Sequence, residues 1–260
     1  MPYLKWDQFL LNVLNMIDLT NKKILITGAT GGIGKEIVST CLSLGAKVFA
    51  VGRNSEKLDE FRSNKNLTIL KCDLLADEDV NELLTKLESL DGVVHCAGKI
   101  YPYPIKFIKQ KHFNEVFTIN TESIITLTSQ LFQQKLISKN ASLVFISSIS
   151  VNHPYMGGSL YVSSKAAIEA FSKSVALEFA NDQIRSNCIS PALVQTEIYE
   201  QTKGAYTQDQ WNQIISQYPL GIGKPKDVAN LSVFLLSDLS SWITGTTIPM
   251  DGGLLLNSKR

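Results

Sequence analysis

Residues 23–54 read KILITGATGGIGKEIVSTCLSLGAKVFAVGRN. The stretch opens on a β-branched apolar run, KILIT (23–27), and passes through a glycine-rich turn, GATGGIG (28–34). A helical pattern over Ile33–Leu44 ends at Gly45, and a second apolar run, AKVFAV (46–51), follows. Strand, glycine turn, helix and strand in succession build parallel neighbours, because parallel strands need a crossover and the helix supplies it. Gly28 permits the tight bend, Gly32 lets backbone approach a phosphate group, and Gly34 allows close packing of helix on strand. The helix N-terminus adds unpaired N–H groups and a partial positive charge, so Thr30, Gly31 and Ile33 join the candidate phosphate contacts.

Outward from this unit the alternation continues. LTILKC (67–72), GVVHCA (92–97), SLVFIS (142–147), IRSNCI (184–189) and TTIPM (246–250) are near-continuous apolar runs, as expected of strands covered on both faces. Helical patterns over 77–88, 121–136, 166–179 and 225–237 fill the gaps. The prediction is an α/β chain: a Rossmann-like, doubly wound parallel sheet of seven strands with helices on both faces, in a single domain over 18–260. Residues 1–17 form an extension in which Phe9, Leu10, Val13, Leu14 and Ile17 fall at helical spacing, an amphipathic helix suited to packing on its own domain or a neighbouring subunit. Residues 197–218 carry Tyr199, Gly204, Tyr206 and Trp211, the composition of an aromatic substrate flap or of a plain helical excursion.

Composition narrows the function classes. The 260 residues hold 25 basic and 24 acidic side chains, a net charge of +1, with 44% hydrophobic and 19% charged residues. That is the profile of a packed globular chain, with no electrostatic footprint for nucleic acid or an anionic membrane. No apolar run approaches the ~20 residues of a membrane helix, and MPYLKWDQFL lacks the layout of a secretory signal. Cys41, Cys72, Cys96 and Cys188 are scattered and read as free buried thiols, so the expectation is a cytoplasmic protein. His95, His112 and His153 show no metal-ligand spacing, so no metal is expected.

The end of the second strand decides the ligand. An NAD site usually places Asp or Glu there for the ribose 2′-hydroxyl, whereas this chain has Gly52-Arg53-Asn54. Arg53 suits a 2′-phosphate, so NADP(H) is favoured over NAD(H); the alternative is a solvated loop arginine with Ser55 capping the next helix. Asp73 is placed either to accept from an adenine amino group or to cap its own turn. Farther on, Tyr161 and Lys165 stand four apart in a helical segment and so share a face, with Ser148 thirteen residues before the tyrosine at a strand end. A neighbouring ammonium is expected to lower the phenol from its ordinary pKa near 10 and fit it for proton transfer. Tyr199, Lys203 and Ser186 repeat these intervals, but Ser186 lies inside a strand and Gly204 breaks the helix, which marks the second set as a decoy.

TGATGGIG (27–34), Arg53, CDL (72–74), HCAG (95–98), Asn120, Ser148, YVSSK (161–165), SPALVQT (190–196) and GKPKDVANLSVFLLSDLSSWITGTTIPMDGG (223–253) follow one another in a family order. In this the chain resembles the short-chain dehydrogenase/reductase family, in its single-domain branch, over 18–253. The resemblance implies interconversion of a carbonyl and a secondary alcohol on a small molecule by direct hydride transfer. It implies an Asn120–Ser148–Tyr161–Lys165 tetrad, in which Asn120 holds a water, Ser148 the substrate oxygen, Tyr161 the proton, and Lys165 the nicotinamide ribose. It adds Asn54, Asp73, Leu74, Cys96, Ala97, Gly98, Pro191, Val194 and Thr196 to the cofactor contacts, and a homodimer or homotetramer. His95-Cys96 stands where the family has Asn-Asn, and Pro191-Ala192 where it has Pro-Gly.

For substrate, the implied walls are Tyr101, Tyr103, His153, Tyr155 and the flap with Tyr199. Similar enzymes reduce 3-oxoacyl chains on acyl carrier protein and dock it through a basic residue before strand six. Here that stretch is Ala180-Asn181-Asp182-Gln183, with Lys139 the nearest evident cation, which weakens that alternative. A non-catalytic NADP(H)-binding regulator is disfavoured by the intact tetrad. A Rossmann-type methyltransferase is disfavoured because it needs an acidic residue where Gly52-Arg53 stands.

Overall fold

The computed structural model describes residues 17–204 and 206–256; the extension helix expected over 4–17 lies, but for Ile17, outside them. The strands are β1 (Lys23–Thr27), β2 (Lys47–Gly52), β3 (Leu67–Lys71), β4 (Leu90–His95), β5 (Ile137–Ile146), β6 (Arg185–Pro191) and β7 (Thr247–Met250). All pair in parallel in one sheet of order β3-β2-β1-β4-β5-β6-β7. The seven-stranded doubly wound prediction holds. The order reverses between β1 and β4, and the crevice beyond their carboxyl ends is where such sheets take ligands.

Each strand divides its side chains between two cores, as a period of two requires. Ile24, Ile26, Val94, Val144 and Ile189 face one layer, which holds α1 (Gly32–Ser43) and α8 (Pro225–Leu236). Leu25, Val93, Leu143, Phe145 and Cys188 face the other, with α2 (Asp77–Thr85), α4 (Ser123–Gln133) and α5 (Ser159–Glu178). Pro225 opens α8, where a missing N–H costs nothing. Buried Arg185 closes it, donating to the carbonyls of Leu235 (2.8 Å) and Ser237 (3.0 Å) and to the Ser240 hydroxyl (2.7 Å).

Most boundaries shift by one to three residues from the sequence reading, and three differences bear on the site. β5 starts at Ile137, ahead of the apolar run, through a pairing with Leu90. The helix expected over 121–136 is a run of α3 (Gln110–Phe117), a π turn (Thr118–Glu122) and α4. α5 begins at Ser159, two residues before the helical segment that opens on Tyr161 and seven before the clear apolar period at 166, because its buried face is polar (Ser164, Lys165, Glu169, Ser172). The flap resolves into two short helices, α6 (Glu197–Lys203) and α7 (Gln208–Ile215), so the helical excursion is what forms.

Candidate active site

The glycine turn after β1 is a fitted cradle. Gly28 has φ +64°, and a Cβ there would lie 2.6 Å from the Ala97 nitrogen, so only glycine lets the ends of β1 and β4 meet. A Cβ on Gly34 would strike the Gly28 carbonyl, and one on Gly32 would come within 2.8 Å of Thr196 Cγ2. Thr30 packs over Gly52 just before Arg53, and exposed Gly31 is the N-cap of α1 with no side chain to block its N–H groups. The turn, Cys96–Gly98 and the Val194–Thr196 segment therefore pack tightly together at the crevice, and only Gly31, whose Cβ would meet nothing nearer than 3.4 Å, leaves the helix N-terminus open. Those features fit a dinucleotide pyrophosphate. Pro191 is buried as the last residue of β6, and Leu74 packs against the second core.

Beside the cradle a cavity of about 430 Å³ is lined by Arg53, Lys99, Lys111, Glu115, Leu75 and Ile119, among others. Among the described residues neither Arg53 nor Lys111 makes an ion pair, and Glu115 is engaged by the Tyr103 hydroxyl at 3.0 Å. The cavity is cationic and open to an anion. Lys99 and Lys111 escaped the sequence reading because they fall in no motif. The signal was the run KIYPYPIKFIKQKHF (99–113), four lysines without a carboxylate. Ser55 does not cap the following 3₁₀ turn, whose N-cap is Asn54 with no side-chain bond. Asp73 Oδ1 accepts from the Leu75 N–H (3.2 Å), so the turn-capping role is occupied by contacts within the chain.

At the other end of the crevice α5 presents Tyr161 and Lys165, both buried. The Tyr161 hydroxyl is hydrogen bonded with Ser148, whose Oγ also accepts from the Ser150 N–H (3.2 Å) and hydroxyl (2.9 Å). Lys165 donates to the Ile146 carbonyl at 2.7 Å, and its Nζ lies 5.9 Å from the Tyr161 ring centre. Asn120 sits in the π turn, an irregularity frequent at functional sites. Its Oδ1 accepts from the Lys99 N–H (2.8 Å) and its Nδ2 donates to the Lys99 carbonyl (2.9 Å) and Ser164 Oγ (3.2 Å). A Cβ on Gly98 would lie 3.2 Å from Asn120 Oδ1 and 3.3 Å from Lys165 Nζ, so the loop after β4 closes on the same point. The structure brings Asn120, Ser148, Tyr161, Lys165 and Gly98 together.

The electrostatics correct one expectation. Burial pushes the Tyr161 phenol above its ordinary range, Tyr155 adds to this, and the Ser148 hydrogen bond opposes it. Burial also lowers Lys165 to about 8. The ammonium is spent on a backbone carbonyl and is itself desolvated, so spacing alone does not deliver the lowered phenol. Cys96 is half-buried rather than fully buried, while Cys41, Cys72 and Cys188 are buried and free. His95 is buried, stacks on Phe145 (4.9 Å) and shares a 3.0 Å bond with Thr128 Oγ1, whose proton goes to the Ile124 carbonyl. Its Nε2 therefore carries the hydrogen, and burial lowers the ring to about 3.

The expected substrate residues divide. Tyr155 is partly exposed and in electrostatic reach of Tyr161 and of Tyr206, a flap residue not singled out as a site residue from sequence. Tyr199 is buried edge-on against Trp211 (5.1 Å), which serves the flap's own packing. His153 is exposed, with its N–H on the Ile149 carbonyl. Ser186 is held by Ser172 (2.8 Å) inside the structure, and Lys203 is exposed, so the second Ser–Tyr–Lys set is not assembled. Lys139 is paired with Asp182 at 3.5 Å. Among the described residues no group of side chains has a metal-binding arrangement, and no helix is long and apolar enough to cross a membrane.

Comparison with known proteins agrees with this layout. A family model described as enoyl-(acyl carrier protein) reductase matches residues 28–255. The chain is 34% identical to the 3-oxoacyl-[acyl-carrier-protein] reductase FabG of Rickettsia felis over 244 residues, covering 93% of this chain and 100% of that protein. It is 30% identical to an L-xylulose reductase of Caenorhabditis elegans over 249 residues, 92% of this chain and 98% of the relative. A crystal structure of a short-chain dehydrogenase/reductase, glucose/ribitol dehydrogenase, from Brucella melitensis superposes with a TM-score of 0.83 at 23% identity, covering 92% of this chain and 98% of that one.

Proposed function

Because this chain belongs to the short-chain dehydrogenase/reductase family of oxidoreductases, we propose that it interconverts a small-molecule carbonyl and its secondary alcohol with NADP(H), Tyr161 giving or taking the proton. The observation that carries the reading is the meeting of Ser148, Tyr161, Lys165 and Gly98 at one end of a glycine cradle whose other end is cationic. The bound nicotinamide would supply or accept the hydride. Ser148 holds the substrate oxygen, for its hydroxyl is already poised at Tyr161 and braced by Ser150. Tyr161, kept protonated by burial, donates its proton to that oxygen as the carbonyl carbon is reduced, and takes it back in oxidation. Lys165, braced by the Ile146 carbonyl, would hold the nicotinamide ribose, and Asn120 pins the Lys99 backbone beside it. Arg53, with Lys99 and Lys111 in the same cavity, supports the 2′-phosphorylated cofactor. Exposed Trp242 and Leu239 before β7 support a homodimer or homotetramer, and four free thiols support a cytoplasmic setting.

The test is oxidation of NADPH and NADH in parallel against 3-oxoacyl thioesters, quinones, ketoses and cyclic ketones. The expected result is NADPH-selective turnover that Tyr161→Phe abolishes. Arg53→Ala is expected to reduce the NADPH advantage by about ten- to a hundred-fold. Preference for NADH would overturn the cofactor reading, and an active Tyr161→Phe would overturn the mechanism. A second reading, reduction of 3-oxoacyl chains on acyl carrier protein, is supported by the similarity to FabG. Against it, Lys139 faces Asp182 at 3.5 Å, so the stretch before β6 offers an acidic carrier no unopposed cation.

A further inference from the structure

Glu169 is a buried carboxyl that the proton transfer above does not use. It lies on α5 one turn beyond Lys165 and two beyond Tyr161, on the same side of the helix. The Ser147 hydroxyl, also buried, donates to Glu169 Oε1 at 2.6 Å. Three successive turns of α5 thus engage three successive residues at the end of β5. Tyr161 meets Ser148, Lys165 meets the Ile146 carbonyl, and Glu169 meets Ser147. The Ser147 N–H is tied in turn to the Ile189 carbonyl of β6 at 2.7 Å, so the contact reaches the neighbouring strand.

An apolar pair would fill this place at lower desolvation cost, since a buried carboxyl must be compensated by the hydrogen bonds it receives. What the polar pair adds is direction: it fixes the axial register of helix on strand one residue from the Ser148 hydroxyl. We propose that Glu169, through Ser147, is a positioning residue that holds Ser148 in register with Tyr161. The inference rests on the roles given above to Ser148, Tyr161 and Lys165.

The test compares Glu169→Leu, Glu169→Gln and Ser147→Ala with the wild type and Tyr161→Phe. Three readouts are taken: kcat on the best carbonyl of the panel, the dissociation constant for NADPH, and the ultraviolet titration of the Tyr161 phenolate, assigned by its loss in Tyr161→Phe. Glu169→Leu is expected to lower kcat about tenfold with NADPH binding unchanged within about twofold. It is also expected to move the Tyr161 ionisation upward, because the hydrogen bond from Ser148 is loosened. Ser147→Ala should reproduce both effects. Glu169→Gln keeps an acceptor for Ser147 and should restore both. If Glu169→Leu does not fold, Ser147→Ala decides. Wild-type kcat and titration in Glu169→Leu, or a Gln variant as impaired as the Leu variant, would overturn the inference. An active Tyr161→Phe would instead bring down the mechanism on which it rests.

Discussion

Residues 148–165 and 186–203 carry the same serine, tyrosine and lysine at the same intervals, yet fold to different ends. In the first, the serine stands just past a strand and caps a 3₁₀ turn, the tyrosine and lysine open a twenty-residue helix, and all three face one crevice. In the second, the serine is inside β6 and bonded to Ser172, the tyrosine is wedged on Trp211, and the lysine is exposed on a helix of seven residues. A serine inside a strand spends its hydroxyl on the neighbouring layer. A serine past the strand end, beside the glycine cradle, is left to face a ligand. Side-chain chemistry thus depends on which end of which element carries the residue.

The widest gap between the two segments lies at their tyrosines. Tyr161→Phe removes the proton that the reaction needs and is expected to cost about 10²–10⁴ in kcat. Tyr199→Phe deletes a hydroxyl from a ring whose work is packing, and kcat is expected to stay within about threefold. Steady-state kinetics on both variants with NADPH checks the contrast. Equal losses would mean that the flap tyrosine, too, takes part in the chemistry.

The serines come next. Ser148→Ala removes the donor at the substrate oxygen and should lower kcat by about 10²-fold, close to the loss of one oxyanion donor, and it also leaves the buried Ser150 and Tyr161 hydroxyls without their partner, at about 1–2 kcal/mol of stability. Ser186→Ala leaves the Ser172 hydroxyl without its buried partner and should cost about 1–2 kcal/mol of stability with catalysis intact. Urea midpoints set beside kcat separate the two outcomes. A destabilised Ser148→Ala with normal turnover would move that serine into the structural class.

The same contrast explains what was legible in the sequence. The inner strands could be read because they are covered on both faces and therefore continuously apolar, and the glycine turn because Gly28 and Gly34 have no room for a side chain. Asn120, Ser148, Tyr161 and Lys165 were found through the order of motifs, and the structure places them together. What stayed hidden depends on three-dimensional direction. The polar inner face of α5 blurred its start by two residues, and the Ser147–Glu169 bond joins residues that no motif links. Lys99 and Lys111 reach Arg53 only once the loop after β4 has folded back, and the sign of the Tyr161 shift turned on where Lys165 points.

The lysines give the smallest and most physical contrast. Lys165 is lowered to about 8 in the folded chain from an ordinary 10.5, so between those values the unfolded chain binds more proton than the folded one. The Lys165 contribution to stability therefore rises with pH across that window and is lost again as pH falls toward 8. Tyr161 acts oppositely: raised above 10, it keeps its proton when the unfolded chain releases it, so stability falls once pH passes about 10. Between 8 and 10 the lysine contributes no more than about 1.4 kcal/mol per pH unit and is opposed by the four thiols, which burial raises from an ordinary 9 to about 11 or 12, so it is read as the difference between two variants. The urea midpoint of the wild type minus that of Lys165→Met, taken at pH 8, 9 and 10 without added cofactor, should climb with pH, because the thiols are common to both and cancel. The midpoint of Lys203→Met, whose side chain is exposed, should run parallel to that of the wild type. Parallel curves for all three would mean that Lys165 keeps its proton when folded, held by the Ile146 carbonyl more firmly than burial opposes it.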